Sequence, residues 1–396
     1  MSTSTDKSKS ILFHYPVFNT GGAEKSSLRM LKAFVAEGWT VTFVLTVPGG
    51  NMEHLIPPEV TVVHLRSKVA GQIFFAAKGV GRLKAIPDLI NYIWQRIVQK
   101  YREHLFKNQH FDVAAALLTG MSTNFIRKGV NAKIRALWIR NDLKGIDKSG
   151  EIAQSIRAAD SEIDWYICVS ETAKQSLVDA VPNTLGKAHV VYNLLCPDEM
   201  KALADERPAP YQMMDSHLEC GKTKILTVCR LSDKAKAIFR MARICKQLKD
   251  KGHDFVWFVI GDGPDRDKLK ELILELDVDS HLVLLGRMEN PFPAYKAADI
   301  VAVVSYYEGL CGIVNEAKVL GKAVVAAEVS GIHEQLIHEQ TGLICENEEG
   351  AIGAAIERLI IDSKLRKALA ESDYSQVIVD DAAKMQRLCN LFDVSK

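Results

Sequence analysis

Short apolar runs alternate along the whole chain with segments in which apolar residues recur every three or four positions. A run such as ILFHYPVF at 11–18 is typical of a buried strand, and the spacing near 23–37 is typical of an amphipathic helix. Strands alternating with helices predict parallel sheets with helical crossovers. The predicted strands lie at 11–18, 40–47, 60–65, 112–118, 135–139, 165–170 and 189–195, and then at 224–231, 254–263, 281–286, 299–305 and 322–330.

The alternation is interrupted once, where Pro208, Ala209 and Pro210 open a polar, irregular stretch. A chain of 396 residues is longer than one core usually supports, so two domains are expected. We predict two doubly wound, Rossmann-like α/β domains that face each other across a cleft, with ligands bound beyond the carboxyl ends of their strands. Their predicted limits are 1–206 and 222–375, with a linker at 207–221 and a C-terminal helix at 376–396 that packs back toward the first domain.

The composition is that of an ordinary globular protein, with 47% hydrophobic residues, 25% charged residues and a formal net charge of +1. These values exclude collagen-like, disordered and multi-span membrane classes. The N-terminal residues are polar and lack the apolar stretch of a signal peptide, so a cytoplasmic location is expected. The eight cysteines form no C-x-x-C pair and are predicted to be reduced core thiols.

Basic residues are concentrated in the first third of the chain, where 1–140 hold 19 Lys and Arg against 8 Asp and Glu. This excess suggests an anionic partner such as nucleic acid, anionic lipid or a phosphorylated substrate. Nucleic acid is not expected, because no RNA-binding motif accompanies the charge. Within 78–107, basic residues alternate with apolar ones, and from Ile86 onward the apolar spacing is helical. One interpretation is a helix lying on membrane headgroups; the other is a core-facing stripe with a solvated back.

Four segments could carry chemistry. Gly21 and Gly22 lie between a strand and a helix, where backbone N–H groups could bind an anion or simply form a turn, and the nearby Lys25 does not complete a phosphate-binding loop. Arg230 and Lys236 follow a strand and could neutralise an anionic leaving group, or they are surface cations.

The third segment is the turn Gly261-Asp262-Gly263, which ends a strand. Arg266 stands where the dinucleotide fingerprint needs its last glycine, so a nicotinamide site is not predicted. The fourth contains Glu308 and Glu316, which bracket a glycine loop able to aim amides at a diphosphate; each could instead be a helix-terminal charge. Two aspartate pairs, Asp265/Asp267 and Asp277/Asp279, lie at a helix start and in a loop after a helix. Capping explains them better than a metal does, and no metal site is predicted.

Taken together, these segments resemble the retaining glycosyltransferases of family 4, a large group with the GT-B fold. The landmarks are VCRLSDKAKA (228–237), VIGDGP (259–264), LLG (284–286), AADIVAVVSYYEGLCGIVNEA (297–317), LGKAVVAAEVSG (320–331) and QTGLI (340–344), with looser matches at NTGGAEKSS (19–27), VSETAKQSLV (169–178) and VVYNLL (190–195). The E-x7-E spacing from Glu308 to Glu316 is the hallmark of that family.

The resemblance implies a role for each matching residue. Arg230 and Lys236 would hold the donor diphosphate, Glu308 would lie near the donor sugar and Glu316 would bind ribose. The remaining implied donor-site residues are Gly21 and Gly22 from the other domain, Gly261 in a turn, Arg287 and Met288 at the base, and the amides of Gly309, Leu310, Cys311, Gly312 and Ile313.

The chain also departs from the family pattern. Cys229 and Ala237 stand where glycines are usual, and Lys236 follows Arg230 by six positions where five are usual. Many relatives carry a histidine in the first domain near the positions of Arg140 and Asn141, which we therefore place on the acceptor side.

By the same resemblance, the expected activity is transfer of a sugar, with retention, from a nucleotide-diphosphate sugar to a glycan or lipid-linked saccharide during cell-surface polysaccharide biosynthesis. UDP is preferred from family frequency, and neither a metal nor another cofactor is expected. Such an enzyme would be cytoplasmic or peripheral at the inner face of the cell membrane, in contact with anionic lipid. The alternatives are a sugar-nucleotide or polyanion binding module, and an epimerase or hydrolase of nucleotide sugars.

Overall fold

The computed structural model describes residues 9–206 and 221–394. They form two compact units. The N-terminal unit contains the chain up to Val169, Ala173–Leu194 and the residues from Ala382 on, and the C-terminal unit contains Ser170–Thr172 and Leu195–Asp381. This division differs from the predicted boundary at 206. The predicted linker lies outside the described residues, apart from Gly221.

The N-terminal unit is built on a seven-stranded parallel sheet with the strand order β3-β2-β1-β4-β5-β6-β7. Central strands are buried on both faces, as helix-covered parallel sheets require, which explains their continuous apolar runs. The strands are β1 Ser10–Tyr15, β2 Thr40–Leu45, β3 Thr61–His64, β4 His110–Ala116, β5 Asn131–Ile139, β6 Trp165–Cys168 and β7 Ala188–Val190.

The C-terminal unit has a six-stranded parallel sheet with the order β10-β9-β8-β11-β12-β13. Strand order therefore reverses between β8 and β11, and in the other sheet between β1 and β4, the positions where doubly wound sheets bind their ligands. The strands are β8 Thr223–Val228, β9 Phe255–Ile260, β10 Leu282–Gly286, β11 Ile300–Val303, β12 Ala323–Ala327 and β13 Leu343–Cys345.

Helices connect successive strands. Those before residue 206 are α1 Gly22–Ala36, α2 Gln72–Ala76, α3 Gly81–Lys84, α4 Ile86–Phe106, α5 Leu143–Ile146, α6 Glu151–Ala159, α7 Glu171–Ala180 and α8 Pro197–Ala204. Those after residue 221 are α9 Asp233–Lys236, α10 Ile238–Asp250, α11 Arg266–Glu275, α12 Phe292–Ala297, α13 Gly312–Val319, α14 Ile332–Gln335, α15 Glu349–Ile361, α16 Ser363–Glu371, α17 Gln376–Val379 and α18 Asp381–Leu391. In the parts of the chain that the structure describes, no helix combines the length and apolarity that crossing a bilayer requires.

The predicted two-domain α/β fold with parallel sheets is thus confirmed, and a strand is present at each predicted position. Strand β13 was not predicted, because a three-residue strand carries too little periodicity to be recognised.

The C-terminal helix α18 belongs to the N-terminal unit from Ala382 onward. Phe392, which follows it, is fully buried, and its ring lies 6.1 Å from that of Phe34 and 6.2 Å from that of Trp138. Lys384 Nζ also donates to the carbonyl oxygen of Asn193 at 2.9 Å. Phe392 therefore completes the core of a unit whose first strand begins at Ser10.

We expect Phe392→Ala to lower the free energy of unfolding of the N-terminal unit by about 3 to 5 kcal/mol, because it leaves a cavity among aromatic rings. Urea unfolding followed by tryptophan fluorescence measures the change. Leu185→Ala, at a side chain that is 64% exposed in the same unit, should change it by less than about 0.5 kcal/mol. An equal effect of both substitutions would contradict the packing described.

The loops that follow β8 and β9 run in close backbone contact. Gly261 has a φ of 149°, and a Cβ added there would lie 1.8 Å from the carbonyl oxygen of Cys229. A Cβ at Gly263 would lie 2.3 Å from the carbonyl oxygen of Leu231. Two bonds link the loops, from Cys229 N to Ile260 O and from Leu231 N to Asp262 O. The glycines are therefore needed to bring these loops together at the carboxyl edge of the sheet.

Gly261→Ala should consequently destabilise the C-terminal unit by about 3 kcal/mol or more, since both the φ angle and the backbone contact exclude a side chain. Thermal unfolding measures the loss. The control is Gly350→Ala in the same unit, where a Cβ has open space, and it should be neutral. An undiminished melting temperature for Gly261→Ala would show that the loops can separate without cost.

Candidate active site

Lys236 and Glu308 meet at the carboxyl edge of the C-terminal sheet. Lys236 ends the short helix after β8, and Glu308 lies in the loop after β11, so the pair stands where the strand order reverses. Lys236 Nζ is 2.6 Å from Glu308 Oε1, and Ser305 Oγ donates to the same oxygen at 2.6 Å. A backbone bond from Tyr306 N to Ala235 O, 2.9 Å long, holds the two loops together.

The pair is largely shielded from solvent, with the Lys236 side chain 24% exposed and that of Glu308 11% exposed. Burial by itself lowers the pKa of Lys236, but the neighbouring Glu308 carboxylate outweighs it, and the pKa is raised. Lys236 is therefore an ammonium ion at neutral pH. It is a cation held in a fixed position at the edge where the family resemblance expects the donor diphosphate.

Arg230 lies at the same edge but is exposed, and among the described residues its side chain makes no ion pair. Ala237 ends the segment, with a φ of 50° in the left-handed region that favours glycine. This explains why a glycine is usual there in the family. The alanine keeps the same backbone turn at an energetic cost of about 1 kcal/mol.

The glycine loop Gly309–Ile313 leads into helix α13, which begins at Gly312. The amides of Gly312 and Ile313 lie in its first turn, where no carbonyl of the helix can accept them. The amide of Cys311, in contrast, donates to Gln335 Oε1 at 3.0 Å, and Gln335 Nε2 donates back to the carbonyl of Cys311 at 2.8 Å. The Cys311 amide thus fixes the loop, whereas the family resemblance implies that it binds phosphate.

Glu316 is the fifth residue of α13 and lies just past its first turn. Its side chain is 7% exposed, and Oε2 accepts a hydrogen bond from the hydroxyl of Tyr295 at 3.0 Å. Tyr295 is fully buried on α12, so it fixes the direction of this carboxylate. Tyr295 was not singled out by the sequence analysis.

Arg287 and Met288 follow β10 and are the residues predicted to lie beside the nucleotide base of the donor. Arg287 is exposed and Met288 is buried. Gly261 N donates to the carbonyl of Gly286 at 2.8 Å, which fixes this segment beside the loop after β9. Both residues lie at the carboxyl edge of the sheet, as contact with the nucleotide base would require. This role stays a prediction.

Arg240 on α10 is a residue that the sequence analysis missed. It is 3% exposed, and its Nε donates to the carbonyl of Val304 at 2.6 Å, while Nη2 donates to Ser305 O at 3.0 Å. Nη2 also donates to Asn347 Oδ1, and the guanidinium lies 4.7 Å from the ring centre of Tyr306. Burial lowers the pKa of Arg240. The signal in the sequence was an arginine among the apolar positions of a helix that faces the core.

In the N-terminal unit, Arg140 is buried and bound on several sides. Its Nε donates to the carbonyl of Leu117 at 2.6 Å, Nη2 to Ser27 Oγ at 3.0 Å, and Nη1 to Ser26 Oγ at 3.2 Å and Asn193 Oδ1 at 3.3 Å. Burial lowers the pKa of Arg140 to about 10. These bonds favour a structural role, and the acceptor role that we assigned to it stays a prediction.

Asn141 is half-exposed beside Arg140. Gly21 and Gly22 lie at the start of α1, as predicted. Gly21 has an extended φ of −173°, and a Cβ at Gly22 would meet no described atom within 4 Å. The fold of the unit therefore does not itself require glycine at position 22, which leaves the close approach of a ligand as a physical reason for it.

Over residues 9–206 and 221–394, no three His, Cys, Asp or Glu side chains come together in a way that could hold a metal ion. Metal independence of the reaction stays a prediction.

Residues 213–376 match the family described as glycosyl transferases group 1. An uncharacterized glycosyltransferase of Methanocaldococcus jannaschii is 24% identical over 237 residues, which are 59% of this chain and 57% of the relative. The N-acetylgalactosamine-N,N'-diacetylbacillosaminyl-diphospho-undecaprenol 4-alpha-N-acetylgalactosaminyltransferase of Campylobacter jejuni is 30% identical over 165 residues, 41% of this chain and 44% of that protein. The chain spans about half the length of the curated relatives it matches.

Solved structures resemble the chain over almost its whole length. Anabaena HepE in complex with UDP and glucose has a TM-score of 0.67 at 19% identity, covering 97% of both chains. Staphylococcus aureus TarM in complex with UDP has a TM-score of 0.73 at 13% identity, covering 97% of this chain and all of the other. The chain is therefore a two-domain α/β protein with the fold of these solved structures, and its residues 213–376 are similar to the glycosyl transferases group 1 family.

Proposed function

We propose that the protein transfers a sugar, with retention of configuration, from a nucleotide-diphosphate sugar to a glycan or lipid-linked saccharide during cell-surface polysaccharide biosynthesis. UDP-sugars are the preferred donors. The observation that carries this proposal is the partly buried Lys236–Glu308 pair at the strand reversal of the matched group 1 region. We further propose that the enzyme works at the inner face of the cell membrane.

The relatives support the substrate class. The Campylobacter relative is named for an acceptor on diphospho-undecaprenol, other relatives are named for lipopolysaccharide core and capsular polysaccharide biosynthesis, and the HepE structures contain UDP, UDP with glucose, or UDP-glucose. The shared domain and the matched motifs extend these substrates to the present chain as a proposal.

Breaking the anomeric C–O bond of the donor leaves negative charge on the departing diphosphate, while the sugar ring gains oxocarbenium character. A fixed cation close to that oxygen stabilises the transition state. Lys236 is the cation that we assign to this role, with exposed Arg230 reaching the same diphosphate. An ammonium has three N–H donors, of which the bond to Glu308 uses one, so two are left for phosphate oxygens.

Retention follows if the acceptor hydroxyl attacks from the face that the diphosphate leaves. A new C–O bond forms to the acceptor, the bond to the diphosphate breaks, and the acceptor's proton passes to a diphosphate oxygen. No protein base is then required. Glu308, held by Ser305 and Lys236, is positioned to stabilise the positive ring, and Glu316, oriented by Tyr295, to accept bonds from ribose hydroxyls.

The test is nucleotide release from a panel of UDP- and GDP-sugars, with and without saccharide or lipid-linked acceptors. Lys236→Met should lower kcat by about 100- to 1,000-fold, since a leaving-group donor is lost. Lys234→Met removes an exposed cation from the same short helix and should leave kcat unchanged. Thermal unfolding confirms that both variants are folded.

Three results would contradict the proposal. A Lys236→Met enzyme as fast as its control would remove the assigned role of the cation. Nucleotide release that does not depend on any acceptor would indicate a hydrolase. Binding of nucleotide sugars without turnover under all conditions would indicate a binding module.

Arg240→Lys tests whether the loop after β11 must be held in place. A lysine keeps the charge but cannot bond the carbonyls of Val304 and Ser305 and the side chain of Asn347 together. We expect kcat to fall by about tenfold or more, with a smaller change in the KM for donor, because Glu308 is displaced from its working position.

The matched control for Arg240→Lys is Arg243→Lys on the same helix, where the arginine is 45% exposed and pairs with Glu349. Both variants are assayed well below their melting temperatures. Equal kcat values for the two would show that Arg240 contributes only to stability.

A further inference from the structure

Helix α4 is attached to the N-terminal unit by its polar face. Asp88 accepts bonds from the amides of Gly71 and Phe74, at 2.9 and 3.0 Å. Gln95, which is buried, accepts from the amide of Ser67 at 2.9 Å, and Gln99 accepts from Arg66 Nε at 2.8 Å. These positions recur at helical spacing, so they mark one side of the helix.

The apolar side of α4 faces away from the unit. The residues on this side are Ile90, Ile93, Trp94, Ile97, Tyr101 and Leu105. Each lies three or four positions from another of the set, and each is between 46% and 65% exposed. The interpretation of this stripe as core-facing is therefore wrong for the unit as it stands. An ordinary surface helix has the opposite orientation, with apolar residues inward and polar residues outward.

The neighbouring helices α2 and α3 extend this apolar surface. Ile73 is 68% exposed, Phe75 60%, Val80 74% and Leu83 67%. The ring of Phe75 packs edge-on against Tyr92 of α4, with 5.2 Å between ring centres, so the short helix α2 lies directly beside α4. A contiguous apolar surface of this kind marks an interaction site, because single exposed apolar residues are common but clusters are not.

The charges around this surface are of one sign. Residues 66–107 contain nine Lys or Arg and two acidic residues. Neither acidic side chain is among the exposed ones: Asp88 binds backbone amides, and Glu103 accepts a bond from Gln99 Nε2 at 2.6 Å. The exposed cations are Lys68, Lys78, Arg82, Lys84, Arg96, Lys100 and Lys107.

This charge pattern distinguishes between two partners that could cover the apolar surface, a second copy of the chain and an anionic lipid surface. Two copies of the chain that paired through this surface would bring their cations together, which opposes association. In an anionic bilayer, the negative headgroups attract the cations, and the apolar stripe can enter the boundary between headgroups and acyl chains. Tryptophan and tyrosine side chains favour that boundary.

We propose that α2, α3 and α4 form a docking surface for anionic lipid, with α4 lying in the plane of the bilayer interface. This docking rests on the proposed function in that it would bring the enzyme to the lipid surface where a lipid-linked acceptor is presented. The inward polar bonds of α4 keep its apolar stripe available to the membrane.

The experiment is co-sedimentation of the whole protein with vesicles of phosphatidylcholine containing phosphatidylglycerol, and with vesicles of phosphatidylcholine alone. The protein should bind the anionic vesicles, and binding should weaken as salt is raised. A variant combining Ile90→Ser, Trp94→Ser and Ile97→Ser should bind at least about tenfold more weakly. Arg96→Gln with Lys100→Gln should also weaken binding, by about tenfold or more at low salt.

The matched control is Leu185→Ser, at a side chain that is 64% exposed in the same unit, and it should leave vesicle binding unchanged. Sedimentation velocity on the unmodified protein tests the alternative, in which a second copy of the chain covers the apolar surface. Absence of vesicle binding, binding that ignores the Ile90, Trp94 and Ile97 substitutions, or a dimer that these substitutions dissolve would each overturn the proposed docking.

Nucleotide release with a water-soluble acceptor separates this inference from the proposed function. If the serine variant loses vesicle binding but keeps its turnover, both proposals stand. Turnover without any vesicle binding by the unmodified protein would overturn the docking alone. Vesicle binding without turnover would overturn the enzymatic function alone.

Discussion

The buried guanidinium of Arg240 is the interaction on which the candidate site depends. The loop after β11 leaves the sheet at its reversal point, where no neighbouring strand continues to bond the carbonyls of Val304 and Ser305. Arg240 supplies the missing donors, and Asn347 adds bonds to Ser305 O, at 3.2 Å, and Tyr306 O, at 3.1 Å. Since buried carbonyls need partners, this arginine makes the course of the loop, and hence the position of Glu308, energetically well defined.

The N-terminal unit uses the same solution at the corresponding place. Arg140 Nε donates to the carbonyl of Leu117, the residue after β4, as Arg240 Nε donates to Val304, the residue after β11. In each sheet this strand is the one beyond the reversal of strand order. Each unit thus buries an arginine under the edge of the sheet where the strand order reverses. A guanidinium suits this task because its planar donors satisfy several carbonyl and hydroxyl oxygens together, which a lysine cannot do.

Hydrophobic periodicity predicted the strands and the doubly wound architecture, because parallel strands buried on both faces have continuous apolar runs. It could not give the orientation of α4: a stripe at helical spacing shows that one face is apolar, but only the bonds of Asp88, Gln95 and Gln99 show which face the unit holds. The motif match identified Lys236 and Glu308 as candidate site residues, and the structure shows that they are in contact. The engagement of the Cys311 amide by Gln335 depends on a residue 24 positions away, which local pattern cannot reveal.

The electrostatics of the Lys236–Glu308 pair fit a site prepared for incoming negative charge. A lysine buried alone would tend to lose its proton, but the Glu308 carboxylate keeps the ammonium charged and holds it in one direction. The hydroxyl of Ser305 in turn donates to the carboxylate, so neither group would have to reorganise on binding the proposed diphosphate. Folding has already oriented these dipoles and charges, so no free energy is needed to reorient them during a reaction. Their full interaction energy can then stabilise charge that develops in a transition state. The raised pKa is thus a consequence of the same geometry that would stabilise a departing diphosphate.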